Sequence, residues 1–126
     1  MISNVGQIML YVNNQGEAKE FWTEKVGFSI ISEEDNGQDM RWIENALTKE
    51  AETNIILHNK EFIAKMSPEI NLGTPSLQFF SKNFDNLYSE LSNKNVTVGE
   101  IVNMSSGRVF NFADSENNYF AVMEKR

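Results

Sequence analysis

The predicted order of secondary-structure elements repeats once along the chain, and this repeat constrains the fold more than any other feature. The first half begins with "QIMLYV", where two sets of side chains alternate at the period of a strand: Ile8, Leu10 and Val12 against Gln7, Met9 and Tyr11. "EAKEFWTEKV" follows, with its apolar residues at helical spacing. Three more predicted strands come next: "FSIISEE", "MRWIENA" and "TNIILHN". The second half repeats this order in "PSLQFFSKN", "FDNLYSELSNKN", "VTVGEIV", "RVFNFAD" and "YFAVMEK". Each half therefore reads β-α-β-β-β.

Turn residues and one long polar segment set the boundaries in this pattern. Asn14 is a predicted helix N-cap, Gly27 a predicted helix end, and "DNGQD" at 35–39 a predicted hairpin turn. The segment "KEFIAKMSPEINLGTP" separates the halves. We therefore expect one domain over 1–126, with a first module at about 1–60, a linker at about 61–74 and a second module at about 75–126. Pairing two such modules would enclose a concave space, where small-molecule sites tend to lie.

Composition and charge narrow the possible partners. The chain has 126 residues, of which 40% are hydrophobic, which suits one domain with a buried core. Its net charge of −7 disfavours binding to nucleic acid and to anionic membranes, because both are negatively charged. It contains no cysteine, which excludes disulfides and thiolate metal sites. No apolar run approaches the ~20 residues of a membrane span, and "MISNVGQ" lacks a secretion-signal pattern, so we expect a cytoplasmic protein.

Three segments resemble those of the vicinal oxygen chelate superfamily, which includes glyoxalase I, extradiol dioxygenases and the bleomycin- and fosfomycin-resistance proteins. These are "QIMLYV", then "EFWTEKVGF", which resembles the family's "FY…LGF" helix end, and "FADSENNYFAV", which resembles its "DP-x-GN-x-x-E-L" turn and last strand. The resemblance covers nearly the whole chain in order and spacing. It implies an α+β fold of paired βαβββ modules, with curled sheets around a cleft. It does not imply a reaction, because this fold hosts many chemistries.

Metal-dependent members of the superfamily take four ligands from the first and fourth strands of the two modules. The resemblance places Gln7, Ile56, Ser76 and Ala121 at those positions. Gln7 is compatible with a ligand role, whereas the other three offer no usable donor. Divalent metals need imidazole or carboxylate donors that converge at about 2.0–2.2 Å. We therefore expect no metal and no cofactor.

Strand alternation from those positions predicts the residues that line the cleft. They combine aromatic and thioether side chains with scattered hydrogen-bonding groups: Gln7, Met9, Tyr11, Ile56, His58, Ser76, Gln78, Phe80, Tyr119, Ala121 and Met123. Trp42 is a further candidate, either as a stacking surface in the cleft or as a core residue. Arg108 either guides an anionic group into the cleft or forms a surface ion pair. His58 is a ligand contact, a general base or a structural group, and the whole set could simply fill the space.

Three functions remain open on this basis. The leading hypothesis is a metal-independent, non-enzymatic protein that binds a partly aromatic or toxic small molecule and sequesters it, with no assigned catalytic residue. An acidic protein would favour a cationic ligand. The second is a metal-dependent lyase, isomerase or dioxygenase with a displaced ligand set of Gln7, His58 and either Glu44 or Glu124. The third is a homodimeric interaction module without a small ligand. We expect a homodimer whichever of these functions the protein has.

Overall fold

Two compact units make up the chain in a computed structural model that describes residues 1–35, 41–48 and 50–125. The first unit is Met1–Thr74 and the second is Pro75–Arg126. Each contains one four-stranded mixed sheet with few helices, which confirms the predicted α+β fold of βαβββ units. The predicted hairpin turn at 35–39 falls mostly outside the described residues.

The first unit follows the predicted element order. Its elements are β1 (Gln7–Val12), α1 (Gln15–Glu20), β2 (Ser29–Asp35), β3 (Arg41–Ala46), β4 (Asn54–Asn59) and α2 (Lys60–Met66). The strands are arranged β1-β4-β3-β2, with β1 parallel to β4 and the remaining pairs antiparallel. A parallel pair needs a crossover connection, and here α1, β2 and β3 lie between β1 and β4 along the chain.

The second unit has the same topology. Its elements are β5 (Gln78–Ser81), α3 (Phe84–Asn93), β6 (Val102–Met104), β7 (Gly107–Ala113) and β8 (Tyr119–Glu124). The strands are arranged β5-β8-β7-β6, and β5 is parallel to β8. The repeat inferred from element order is therefore a repeat of sheet topology as well.

The first helix begins and ends where the sequence predicts. The side chain of Asn14 accepts a hydrogen bond from the backbone N–H of Glu17, as an N-cap does. After α1 the chain continues as a π-helical turn at Phe21–Lys25, and Gly27 then adopts a φ of +94°. That left-handed conformation ends the helix, and glycine adopts it without steric cost.

Two segments differ from the sequence-based expectation. The predicted linker contains α2, which starts where the Asn59 side chain accepts a hydrogen bond from the N–H of Phe62. The predicted strand "VTVGEIV" is reduced to an isolated bridge between Val98 and Phe112, and β6 begins only at Val102. Gly99 lies in the middle of that segment, where a residue without a side chain weakens strand pairing.

Each unit buries one face of its sheet. In the first unit the buried set includes strand residues and residues of α1 and the turn that follows it: Leu10, Val12, Ile43, Ile55, Leu57, Ala18, Phe21 and Trp22. In the second unit the buried set joins β7 and β8 to α3: Phe110, Phe112, Phe120, Val122, Phe84 and Leu91. These are the faces on which apolar alternation was predicted. Ile56 and His58, on the opposite face of the first sheet, are buried as well.

We expect Leu10→Ala to lower the free energy of unfolding by about 2–5 kcal/mol, because Leu10 is 3% exposed and its removal leaves a cavity. Urea denaturation measures this change. Ile2→Ala is the control, since Ile2 is 95% exposed and its truncation should change stability by less than about 0.5 kcal/mol. Equal effects of the two variants would contradict the assignment of the core face.

Candidate functional site

The face of the first sheet opposite Leu10 and Leu57 carries six of the predicted cleft residues, and we call it the mixed face. Strand register arranges its side chains in three rows that run across the sheet about 6.7 Å apart. The aromatic row is Tyr11, His58 and Trp42; the central row is Met9, Ile56, Glu44 and Ser32; the amide row is Gln7 and Asn54.

The aromatic row is a contiguous group of three rings. Tyr11 and His58 are register partners on β1 and β4, and their rings stack with centroids 5.7 Å apart and planes 17° apart. Trp42 meets the His58 ring edge-on, with centroids 5.3 Å apart and planes 83° apart. Tyr11 and Trp42 are half-buried, whereas His58 is only 9% exposed. Trp42 therefore lies on the mixed face rather than in the core.

Burial sets the charge state of His58. Desolvation lowers the pKa of His58 below its ordinary value of about 6.5, because burial disfavours the imidazolium. The ring is therefore neutral at pH 7. A neutral imidazole between two aromatic rings adds a flat, weakly polar surface to the row and no positive charge.

Glu44 connects the central row to the amide row through three hydrogen bonds. Its Oε2 accepts from Asn54 Nδ2 at 2.9 Å and from Gln7 Nε2 at 3.3 Å, and its Oε1 accepts from Ser32 Oγ at 3.3 Å. All three donors are neutral. Within the described part of the chain, no Lys or Arg forms an ion pair with Glu44.

The residues at the four family positions do not fit a divalent metal. Gln7 points its amide Nε2, a donor, at Glu44, and Ile56 is a fully buried hydrocarbon. Ser76 precedes β5 and is exposed, and Ala121 has no donor atom. Among the described residues, no three His, Cys, Asp or Glu side chains form a group that could hold a metal ion.

The displaced ligand set does not fit one metal either. Gln7 lies opposite Asn54 in the parallel register, and His58 is four residues further along β4. That offset is roughly 13 Å along the strands, too far for both side chains to bond one ion. Glu124, in the other unit, is hydrogen-bonded to Arg108 instead. Among the described residues of the first unit, Gln7 and Glu44 are the members of the displaced set that the structure brings together.

The second sheet has its own mixed face. Gln78 lies opposite Ala121 in register, Phe80 lies opposite Met123, and Tyr119 is on the same side of β8. Phe80 is 59% exposed and Tyr119 is 60% exposed. The alternation predicted for this strand pair is therefore the alternation observed.

Arg108 lies on the opposite face of the second sheet, towards α3. It donates to Glu124 Oε2 at 2.7 Å and, through two nitrogens, to both oxygens of Asp85 at 3.0 and 2.9 Å. Its guanidinium also stands 4.8 Å from the centroid of the Phe84 ring. The hydrogen bonds from Arg108 hold the pKa of Asp85 below its ordinary value. Of the two roles predicted for Arg108, the structure shows the ion pair. Arg108 lies on the same side of β7 as Phe110 and Phe112, which is the side opposite the mixed face.

Sequence reasoning did not identify the group around Glu44. It named Glu44 only as an alternative metal ligand, and it did not name Ser32 or Asn54. The available signal was alternation along β3, which places Glu44 on the same face as Trp42. The register between β3 and β4, which brings Glu44 next to Asn54, is a tertiary feature that single-strand patterns do not contain.

Comparison with known proteins identifies relatives over the full chain. A family model described as the Glyoxalase/Bleomycin resistance protein/Dioxygenase superfamily matches residues 4–122. The uncharacterized protein YetH of Bacillus subtilis (strain 168) is 33% identical over 125 residues, which cover 98% of this chain and 100% of YetH.

Solved structures agree with these matches. TnmS3, an antibiotic binding protein from Streptomyces sp. CB03234, superposes with a TM-score of 0.82 at 26% identity, covering 99% of this chain and 98% of TnmS3. A glyoxalase/bleomycin resistance protein, also from Streptomyces sp. CB03234, superposes with a TM-score of 0.74 at 25% identity, covering 95% and 99% of the two chains. No helix in residues 1–35, 41–48 and 50–125 is long and apolar enough to cross a membrane.

The lowered pKa of His58 predicts a pH dependence of stability. The unfolded chain binds a proton at His58 more readily than the folded one, so this residue's contribution is complete above pH 6.5 and is lost as pH falls below it. Between pH 7 and pH 5 the wild type should therefore lose more stability than His58→Gln, which lacks the titrating group. His58 is the sole histidine, which makes the comparison clean. Parallel stability curves from urea titrations at each pH would show that His58 is not desolvated.

Proposed function

Because this chain belongs to the Glyoxalase/Bleomycin resistance protein/Dioxygenase superfamily, we propose that it is a metal-independent binding protein for a small, partly aromatic molecule. The observation that carries this proposal is the aromatic row, with Glu44 and Gln7 on the same sheet face. Sites for small molecules combine an apolar or aromatic lining with a few placed polar groups. The mixed face of the first sheet has this composition.

The accessible groups of the mixed face define how a flat ligand would be held. Tyr11, Trp42 and Met9 are half-buried, so part of each side chain is available for contact. Ring stacking adds about 0.5–1.5 kcal/mol beyond area burial, and thioethers adapt to aromatic surfaces. Ile56 and His58 lie beneath them as a buried floor. The ligand therefore contacts rings and a thioether first and polar groups at their edge.

A binding role needs no reacting group, which suits the residues present. The donors at the family's metal positions do not fit a divalent ion, and the neutral His58 has aromatic rings as its described contacts. Similarity to TnmS3, whose description is that of an antibiotic binding protein, supports binding and sequestration of a toxic compound. The second sheet offers a separate candidate ligand surface, on which Phe80 and Tyr119 are exposed and Gln78, Ala121 and Met123 share their face. Ser76, which precedes β5, stays a predicted ligand contact.

A thermal-shift screen of planar aromatic compounds should find ligands that raise the melting temperature in a dose-dependent way, with or without EDTA. Trp42→Ala and Tyr11→Ala should each weaken binding by about 1–3 kcal/mol, because each removes a ring from the ligand surface. Isothermal titration measures the affinity.

Leu10→Ala is the control for this pair of variants, since it should lower stability while affinity is retained. If both ring variants unfold as readily as Leu10→Ala and keep their affinity, the rings are structural and the site is elsewhere. Binding that EDTA abolishes would overturn the metal-independent proposal.

We further propose that the protein is a homodimer. Val102 and Met104 on β6 are 51% and 55% exposed, and β6 is an edge strand of the second sheet. Exposed apolar side chains on a strand edge are a liability that a partner surface removes. A symmetric pair of chains is the commonest arrangement for covering such a patch.

Sedimentation at micromolar concentration should give a dimer for the wild type and a monomer for Val102→Glu, which buries a charge in the contact. Ser105→Glu adds the same charge to the exposed turn after β6 and should leave the dimer intact. A wild-type monomer, or dimers in both variants, would show that this patch is not an interface.

A further inference from the structure

We propose that the mixed face of the first sheet selects ligands with a cationic, hydrogen-bond-donating group, and that Glu44 is the residue that binds this group. This inference rests on the proposed function, and it adds the chemical class of the ligand. The recognition is a charge-assisted hydrogen bond from an ammonium or amidinium nitrogen to the Glu44 carboxylate. The aromatic row holds the ring to which that group is attached.

The hydrogen bonds around Glu44 leave it both positioned and uncompensated. Donation from Asn54 Nδ2, Gln7 Nε2 and Ser32 Oγ fixes the carboxylate on the sheet surface. A carboxylate has about four acceptor positions, and Oε1 takes only the Ser32 hydroxyl among the described residues. Because the three donors are neutral, they orient the negative charge without cancelling it. A cationic donor can therefore add to this carboxylate without displacing a protein cation.

The charges near Glu44 favour a cation further. Glu44 supplies a carboxylate on this face, and the buried, neutral His58 adds no positive charge beside it. Glu34, which lies opposite Trp42 in the β2–β3 register, extends the aromatic row with a second, exposed carboxylate. The net charge of −7 adds long-range attraction for cations. An anionic aromatic compound would meet the same carboxylates with repulsion.

Spacing sets the distance between the ligand's ring and its cationic group. Glu44 is two residues from Trp42 on the same face of β3, which separates their Cα atoms by about 6.7 Å. Its carboxylate accepts hydrogen bonds from both residues of the amide row, so it extends away from the aromatic row. A bicyclic ring lying over Trp42 and Met9 with an aminomethyl arm bridges this distance.

The test compares three compounds with one ring system: 2-naphthylmethylamine, a cation at pH 7; 2-naphthylmethanol, neutral; and 2-naphthoate, an anion. Titration calorimetry on the full chain should give an affinity for the amine about tenfold or more above that for the alcohol, and weakest binding for the naphthoate. Glu44→Gln should remove the preference for the amine over the alcohol, bringing the ratio of the two affinities to about one, and this ratio is the readout.

Glu20→Gln is the matched control, because Glu20 is exposed on α1 and the substitution changes the net charge equally. It should retain the preference. Equal affinities for amine and alcohol, or a preference that survives Glu44→Gln, would overturn the role of Glu44. If the amine and the alcohol still bind and Trp42→Ala weakens the binding of both, the proposed binding function stands without a preference for cationic ligands. Failure of all three compounds to bind wild type at millimolar concentration overturns the inference, and the wider aromatic screen then decides on the binding function itself.

Discussion

The parallel pairing of β1 with β4 is the constraint on which the candidate site depends. These strands are far apart in the sequence, and the segment between them, which contains α1, β2 and β3, returns the chain so that they run side by side. The pairing places Tyr11 opposite His58 and Gln7 opposite Asn54, which creates the aromatic row and the amide row together. A slip of one residue would turn Leu10 to the mixed face and move Tyr11 into the core. The buried apolar face therefore fixes the register, and the register in turn positions the site.

Carboxylates in the two units are held in different electrostatic environments. Glu124 and Asp85 in the second unit share Arg108, so their charges are partly compensated and α3 is tied to the sheet. Glu44 in the first unit is surrounded by two amides and a hydroxyl. An ion pair at a surface contributes little net stability, typically about 0–1 kcal/mol, but it removes a charge from the reach of ligands. Neutral donors leave that charge accessible, which distinguishes a candidate recognition group from a structural one.

Much of the fold could be predicted from the sequence, because strand alternation and helix-end residues are local signals. The period of two in "QIMLYV" correctly put Tyr11 on the side opposite Leu10, and the family resemblance agrees with the family match. The helix α2 was missed because it is only seven residues long and the Pro68 and Gly73 that follow it suggested a loop. The side of Trp42 could not be predicted, since it depends on the pairing of β3 with β4. Arg108 remained ambiguous for the same reason: its partner Asp85 lies on a different element, 23 positions away.

The two tryptophans of the chain lie in contrasting surroundings, which gives the protein two built-in optical probes. Trp22 is fully buried between Phe21 and Phe28, where solvent and dissolved quenchers do not reach it. Trp42 is half-buried on the mixed face and touches the His58 ring. The emission of Trp42 therefore responds to occupancy of that face, while the emission of Trp22 reports the integrity of the core. A water-soluble quencher separates the emission of the two tryptophans. Fluorescence can therefore distinguish a change at the surface from loosening of the interior.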